Sequence, residues 1–185
     1  MKVQETKLKD CFIINDTVFK DDRGYFFESF NLQRFASLTG ITPNFVQDNQ
    51  SKSSRGVLRG IHFQQGEHVQ AKLVRVLEGK VLDVAVDLRK NSPTFGEYVA
   101  VELSEDNHTQ LFVPRGFGHA FVVLSPTATF FYKCDNLYNK ASEGGIIYND
   151  PSIGIDWQID TADLLLSEKD AALPTLNEIK DKLYF

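Results

Sequence analysis

The stretch Val74-Arg75-Val76-Leu77-Glu78-Gly79-Lys80-Val81-Leu82-Asp83-Val84-Ala85-Val86-Asp87-Leu88 decides the fold class. Its apolar side chains recur at every second position, which is the period of a strand and not the 3.6 of a helix. Glu78-Gly79-Lys80 reads as a tight glycine turn between two strands. In the second strand Leu82, Val84, Val86 and Leu88 share one face, and Asp83, Ala85 and Asp87 share the other. Downstream, Lys90-Asn91-Ser92-Pro93-Thr94 has turn chemistry, and Tyr98–Leu103, Gln110–Val113, Gly118–Leu124 and Ala128–Cys134 read as further strands. Upstream, Cys11–Phe19 and Tyr25–Phe30 flank the turn Asp21-Asp22-Arg23-Gly24, and Asn44–Ser51 and Val57–Phe63 are two more strands. Asn31 is placed to cap a helix over Leu32–Leu38 that Thr39-Gly40 ends. Toward the C-terminus the β period fades, and Ser167–Ala172 and Leu176–Leu183 read as short helices. So many short strands predict an all-β fold with short peripheral helices, closed or double-sheeted so that strand edges are covered.

Composition bounds the rest. The 185 residues suit one domain over 1–185, with 42% hydrophobic and 24% charged residues, as in an ordinary globular protein. A net charge of −5 argues against a broad grip on a nucleic-acid polymer, but leaves room for a local basic pocket for a phosphate-bearing small molecule. The N-terminus MKVQETKLKD has no apolar signal region, and no run approaches the ~20 apolar residues of a membrane helix, so a cytoplasmic protein without membrane contact is expected. Cys11 and Cys134 form no disulfide framework and are expected to be reduced and buried. One number asks for an explanation: 15 Phe stand against one Met and one Trp.

The run Arg55-Gly56-Val57-Leu58-Arg59-Gly60-Ile61-His62-Phe63-Gln64 carries the strongest chemical signal. Arg59 and His62 sit in an otherwise apolar strand, and their odd separation would put them on opposite faces. Gly60 between them permits a bulge, so both are expected to point into one pocket. The plainer reading makes Arg59 an edge charge and His62 a satisfied core histidine. His62 is the natural general base, since its ordinary pKa lies near neutrality. Such a base needs an acceptor on its other ring nitrogen; Asp170 and Asp83 are both candidates. Tyr132 shares a strand face with Phe130 and Cys134. It becomes an acid candidate only if that face looks into the same lumen as His62.

A strand, a glycine turn, a strand and then Pro114-Arg115-Gly116-Phe117-Gly118-His119, of the form P-x-G-x-x-H, resemble the two motifs of the cupin superfamily of jelly-roll barrels. Metal-binding cupins carry H-x-H and then a Glu seven residues before the closing glycine. Here that position, counted back from Gly79, is Lys72, and His68 is the one histidine near the H-x-H position. An ammonium repels a divalent cation, so the chain reads as a cupin with a fixed cation where relatives hold a metal.

Longer motifs narrow the resemblance. Asp21–Glu28, Gln47–Ser51, Arg55–Gln64, Gln70–Val76, Asp83–Arg89, Ser92–Gly96, Pro114–Phe121, Tyr132-Lys133 and Asn149-Asp150-Pro151 resemble, in order, the dTDP-4-dehydrorhamnose 3,5-epimerases. The likeness runs from about Phe12 to about Pro174. Gly118 and Ala120 stand where Ala and Gly are usual, and Tyr148 where Trp is common. The resemblance implies a double-stranded β-helix (cupin jelly-roll barrel) that inverts C3 and C5 of a dTDP-linked 4-keto-6-deoxyhexose, with no cofactor and no metal. It implies His62 as base, Asp170 as its carboxylate, Tyr132 as acid and Lys72 near the C4 carbonyl. It places Arg59 on the diphosphate, with Gln47, Asn49 and His119 among the pocket polar groups. Arg23 and Glu28 belong to the nucleotide end, where Phe26 and Tyr138 would pack on thymine. It also implies a homodimer with exchanged N-terminal strands, so that Arg23–Glu28 serves the neighbouring subunit. Single-position epimerases would share this machinery, whereas a non-catalytic sugar-nucleotide binder could dispense with His62, Tyr132 and Asp170. A metal-dependent oxygenase is disfavoured by Lys72.

Overall fold

A computed structural model describes residues 1–185. The chain opens with β1 (Lys2–Glu5), β2 (Phe12–Asn15), the hairpin β3 (Phe19–Asp21) and β4 (Gly24–Phe26), and helix α1 (Leu32–Thr39). The body is β5 (Gln47–Ser54), β6 (Leu58–Gln64), β7 (Lys72–Glu78), β8 (Lys80–Asp87), β9 (Tyr98–Ser104), β10 (Thr109–Val113), β11 (Phe117–Val123) and β12 (Thr127–Cys134). Then come β13 (Glu143–Gly145), α2 (Glu168–Ala171) and α3 (Leu176–Ile179). Two antiparallel sheets face each other, one ordered β1-β2-β10-β7-β12-β5 and the other β13-β6-β11-β8-β9. The strand pattern predicts the double-sheeted all-β class, and the sheet orders are those of the jelly roll that the cupin resemblance implies.

The Val74–Leu88 stretch is the corner of that barrel, and not a hairpin. β7 lies in the six-stranded sheet and β8 in the five-stranded one. The turn at Gly79 carries the chain across. Its φ is +80°, and a Cβ there would sit 2.1 Å from the Thr127 carbonyl oxygen, so the corner admits only glycine.

Strand alternation sorts the apolar residues into layers. Val74 and Val76 of β7, Val81 and Ala85 of β8, Phe121 of β11 and Phe130 of β12 meet between the sheets. The even face of β8 (Leu82, Val84, Val86), with Leu88 just beyond it, is just as buried, because Ile153, Trp157, Leu176 and Leu183 of the C-terminal segment cover the outside of the five-stranded sheet. Helix α1 covers part of the other sheet. The Asn31 side chain accepts from the Arg34 N–H at its start, Gly40 ends it in the left-handed region, and Phe35 is fully buried 5.0 Å (ring centroids) from Phe112. Burying one such aromatic is worth about 1.5–3 kcal/mol.

Four segments depart from expectation. The strand expected over Cys11–Phe19 stops at Asn15, and Tyr25–Phe30 is strand only to Phe26, because β3 and β4 form a separate exposed hairpin. The helix expected over Leu176–Leu183 ends at Ile179 and tightens into a 3-10 turn over Lys180–Lys182. Strand β13, Glu-Gly-Gly, has no apolar alternation to announce it; it pairs with β6 opposite His62.

Candidate active site

Between the sheets lies a cavity of about 540 Å³. A second chamber of about 230 Å³, with Gln64, Tyr138 and Glu143 on its walls, shares four residues with the first: Asn49, His62, Lys72 and Tyr132. These four therefore stand where the two chambers meet.

Local backbone geometry puts them there. In the pairing of β6 with β11, His62 lies opposite His119 and Arg59 opposite Phe121. Three steps along β6 thus match two along β11, so Gly60 and Ile61 together oppose Ala120 as a bulge. The extra residue reverses the alternation, and Arg59 and His62 both line the cavity. Gly60 has φ +126°, and a Cβ on it would lie 2.4 Å from the Ala120 Cβ. The opposite wall follows strict alternation. Lys72, Val74 and Val76 share one face of β7, and Phe130, Tyr132 and Cys134 share one face of β12. Tyr132 lies opposite Asn49 of β5. His62 therefore comes from one sheet, and Lys72 and Tyr132 from the other.

Of the two carboxylates considered for His62, Asp170 reaches it, at 2.6 Å from Nε2. Asp170 sits in α2, whose cap Ser167 accepts from the Asp170 N–H. Its carboxylate is almost fully buried, whereas the His62 side chain is 29% exposed. With Nε2 committed to Asp170, Nδ1 is left to carry the lone pair. Asp83 instead bonds Nε2 of His119 at 2.9 Å, and its second oxygen is buried without a partner. His119 lines the cavity beside Phe130, which stacks on Phe121 at 4.1 Å.

Two cations face the cavity without a counter-ion. No carboxylate lies within salt-bridge distance of Lys72 or Arg59. The Arg59 guanidinium hydrogen-bonds the Ser53 hydroxyl, at 3.2 and 3.3 Å. The Lys72 ammonium lies 5.9 Å from the Tyr132 ring centroid. Such a cavity favours an anionic ligand. No group of three His, Cys, Asp or Glu side chains converges to hold a metal ion.

Burial sets the proton affinities. It pushes His62 below its ordinary value, outweighing the upward pull of Asp170, so the ring is neutral and able to accept a proton at pH 7. Burial lowers Lys72 as well, against the upward pull of the neighbouring Cys134, Asp83 and Glu143. It raises Tyr132, so the phenol keeps its proton.

Other expected residues are placed less uniformly. Gln47 and Tyr138 line the second chamber, with the Gln47 Oε1 accepting from the Tyr138 N–H at 3.0 Å. Arg23, Phe26 and Glu28 are not brought to either chamber of their own chain. Arg23 pairs with Asp21, Glu28 pairs with Arg34 at 3.1 Å, and Phe26 is 70% exposed. Sequence reading missed Ser53 and Glu143. Glu143 accepts from the Tyr138 hydroxyl at 3.1 Å and pairs with Lys169 at 2.6 Å. A lone Glu beside two glycines carries no signal until β13 is seen against β6.

A barrel with a proton acceptor on one wall and a donor on the other can invert a carbon whose hydrogen is acidic. That chemistry on a cupin-type jelly roll defines an isomerase. A family model described as dTDP-4-dehydrorhamnose 3,5-epimerase matches residues 5–178, and the chain belongs to that family. It is 53% identical over 178 residues to the dTDP-4-dehydrorhamnose 3,5-epimerase of Salmonella typhimurium, covering 96% of this chain and 97% of that one. The crystal structure of the Elizabethkingia anophelis NUHP1 enzyme of the same name is 60% identical, with a TM-score of 0.93, over 100% of this chain and 99% of that one. The dTDP-6-deoxy-D-glucose-3,5-epimerase of Legionella pneumophila, solved with dTDP-4-keto-L-rhamnose, is 47% identical, with a TM-score of 0.95, over 99% and 97%.

Proposed function

We propose that the chain converts dTDP-4-dehydro-6-deoxy-D-glucose to dTDP-4-dehydro-L-rhamnose by proton transfer at C3 and C5, in dTDP-L-rhamnose synthesis. The observation that carries this reading is the His62–Asp170 pair facing Tyr132 across a lumen that also holds an uncompensated Lys72. The C4 ketone acidifies both C3–H and C5–H. His62 takes one of these protons through Nδ1, leaving an enolate on the C4 oxygen. Lys72 stabilises that charge as it develops. Tyr132 delivers a proton to the opposite face and inverts the centre; solvent then takes the proton from His62 and restores the one on Tyr132. The same exchange at the second carbon completes the product, with no redox cofactor and no metal.

The remaining residues bind. Arg59 takes the diphosphate, and Gln47, Asn49 and His119 hydrogen-bond within the pocket. Tyr138 packs on thymine at the second chamber. Arg23, Phe26 and Glu28, exposed on the β3–β4 side of the molecule, serve the same end of a neighbouring subunit's site in a homodimer that exchanges N-terminal strands. The hairpin's exposed Phe19, Tyr25 and Phe26 support that assignment, since a monomer gains nothing by leaving them in water. Free thiols at Cys11 and Cys134 suit a cytoplasmic enzyme.

Turnover in deuterated water, with and without chelator, tests the scheme. Two solvent deuterons in the product and no chelator effect are expected. One deuteron would make the chain a single-position epimerase, and loss of activity on chelation would overturn the metal-free step.

A further inference from the structure

The second chamber has one wall that belongs to no strand. It is the segment between β12 and β13, residues 135–142, which carries Tyr138 and leaves Leu137 and Tyr138 more than half exposed. A segment so poor in buried apolar contacts must be held by polar bonds. Tyr138 itself is bonded to Gln47 and Glu143, and Asp135 to Arg115, but most of the remaining bonds go to one place, the end of β6 and the connection from it to β7. Asn136 Nδ2 donates to the Glu67 carbonyl, Gln70 Nε2 to the Asn136 carbonyl, the Gln65 N–H to the Ser142 carbonyl, and the Asn139 N–H to Gln64 Oε1.

His68 is at the centre of this set, and both its ring nitrogens are used. Nε2 lies 3.0 Å from Asn139 Nδ2, and Nδ1 lies 3.1 Å from Ser142 Oγ. The Asn139 side chain cannot turn round, because its Oδ1 accepts from the Ala141 N–H and caps the 3-10 turn over Lys140–Ser142. Its amide therefore donates, His68 Nε2 accepts, and the ring proton on Nδ1 is given to Ser142. One imidazole thus ties both sides of the turn that follows Tyr138.

We propose that His68 is a positioning residue for the nucleotide end of the site, which it shapes by clamping residues 139–142 so that Tyr138 stands at the chamber wall. This rests on the placement of Tyr138 at the nucleotide. His68 touches neither the base–acid pair nor Lys72, so its contribution falls on binding and not on proton transfer.

The test uses the full chain, with dTDP as the probe in calorimetric titration and the keto-sugar substrate in steady-state assays. His68→Ala weakens dTDP binding and raises KM by about tenfold, while kcat stays within about twofold. His68→Gln, which keeps an acceptor within reach of Asn139, recovers most of the affinity. Ser142→Ala, which removes one of the two bonds, shifts affinity the same way by a smaller factor, and stands in if His68→Ala does not fold. Unchanged dTDP affinity in His68→Ala, beside a clear loss in Tyr138→Ala, overturns the clamp but leaves Tyr138 at the nucleotide. Unchanged affinity in Tyr138→Ala overturns that placement and the clamp with it. A fall in kcat that matches the rise in KM also overturns the clamp.

Discussion

Asp170→Asn changes one oxygen and removes one charge from the catalytic pair. In the native protein a buried carboxylate accepts from His62 Nε2 at 2.6 Å. A hydrogen bond to a charged group is worth about 1.5–3 kcal/mol, and each 1.36 kcal/mol is about tenfold in rate. If the imidazolium formed in the transition state loses that stabilisation, kcat falls about 10- to 150-fold. The pH profile moves in a defined direction. The Asp170 hydrogen bond and charge both raise the His62 proton affinity, against burial and the charges of Lys72 and Lys169, which lower it. Without that hydrogen bond and charge it falls further. His62 must be neutral to act, so the acid limb of kcat/KM, already below the ordinary histidine value, shifts to still lower pH while the plateau drops. Proton exchange into substrate in deuterated buffer, followed by NMR across pH 4–9, measures both. A plateau unchanged by Asp170→Asn, or an acid limb displaced upward, would refute the pairing argument.

Two further substitutions probe other parts of the site. Lys72→Met removes the uncompensated cation from the lumen; kcat should fall about 10²–10³-fold, as for loss of a donor to a developing oxyanion, with dTDP affinity far less affected. A kcat within a few-fold of wild type would remove Lys72 from the enolate. Gly60→Ala forces a Cβ against Ala120 at a positive φ and should cost about 1–3 kcal/mol of stability, read as a lower urea midpoint. An unchanged midpoint would show that the bulge tolerates a side chain.

Phenylalanine excess has several sources. Phe121 and Phe130 stack in the lumen and line the cavity beside His119. Phe63 packs on the outer face of its sheet, edge-on to Phe185. Phe35 and Phe112 join helix α1 to the other sheet. Phe131 points away from the lumen under Lys133, and Phe27 lies beneath Arg75. Of the phenylalanines on the site-bearing strands, alternation sends only some inward.

Period-two patterning by itself determined most of the barrel strands, though not β1 or β13, and with them the all-β class, because side-chain alternation is a local property of an extended chain. It also determined the Asn31-to-Gly40 helix, whose caps are local too. Arg59, Gly60 and His62 announced their shared pocket, since one bulge residue is enough to reverse a face. Other features needed the tertiary structure. Whether Gly79 closes a hairpin or turns a corner depends on the partners of its two strands, β10 and β12 for β7 but β9 and β11 for β8, all far along the chain. Which carboxylate orients His62 depends on where α2 comes to rest, 108 residues away: spacing alone leaves Asp170 and Asp83 open, the family resemblance points to Asp170, and Asp83 is carried by its strand to His119. Glu143 and His68 act through pairings between loops, where no periodicity exists to read. Local chemistry is written in neighbouring residues, but a site assembled from two sheets and their loops is decided only when long-range packing sets those elements side by side.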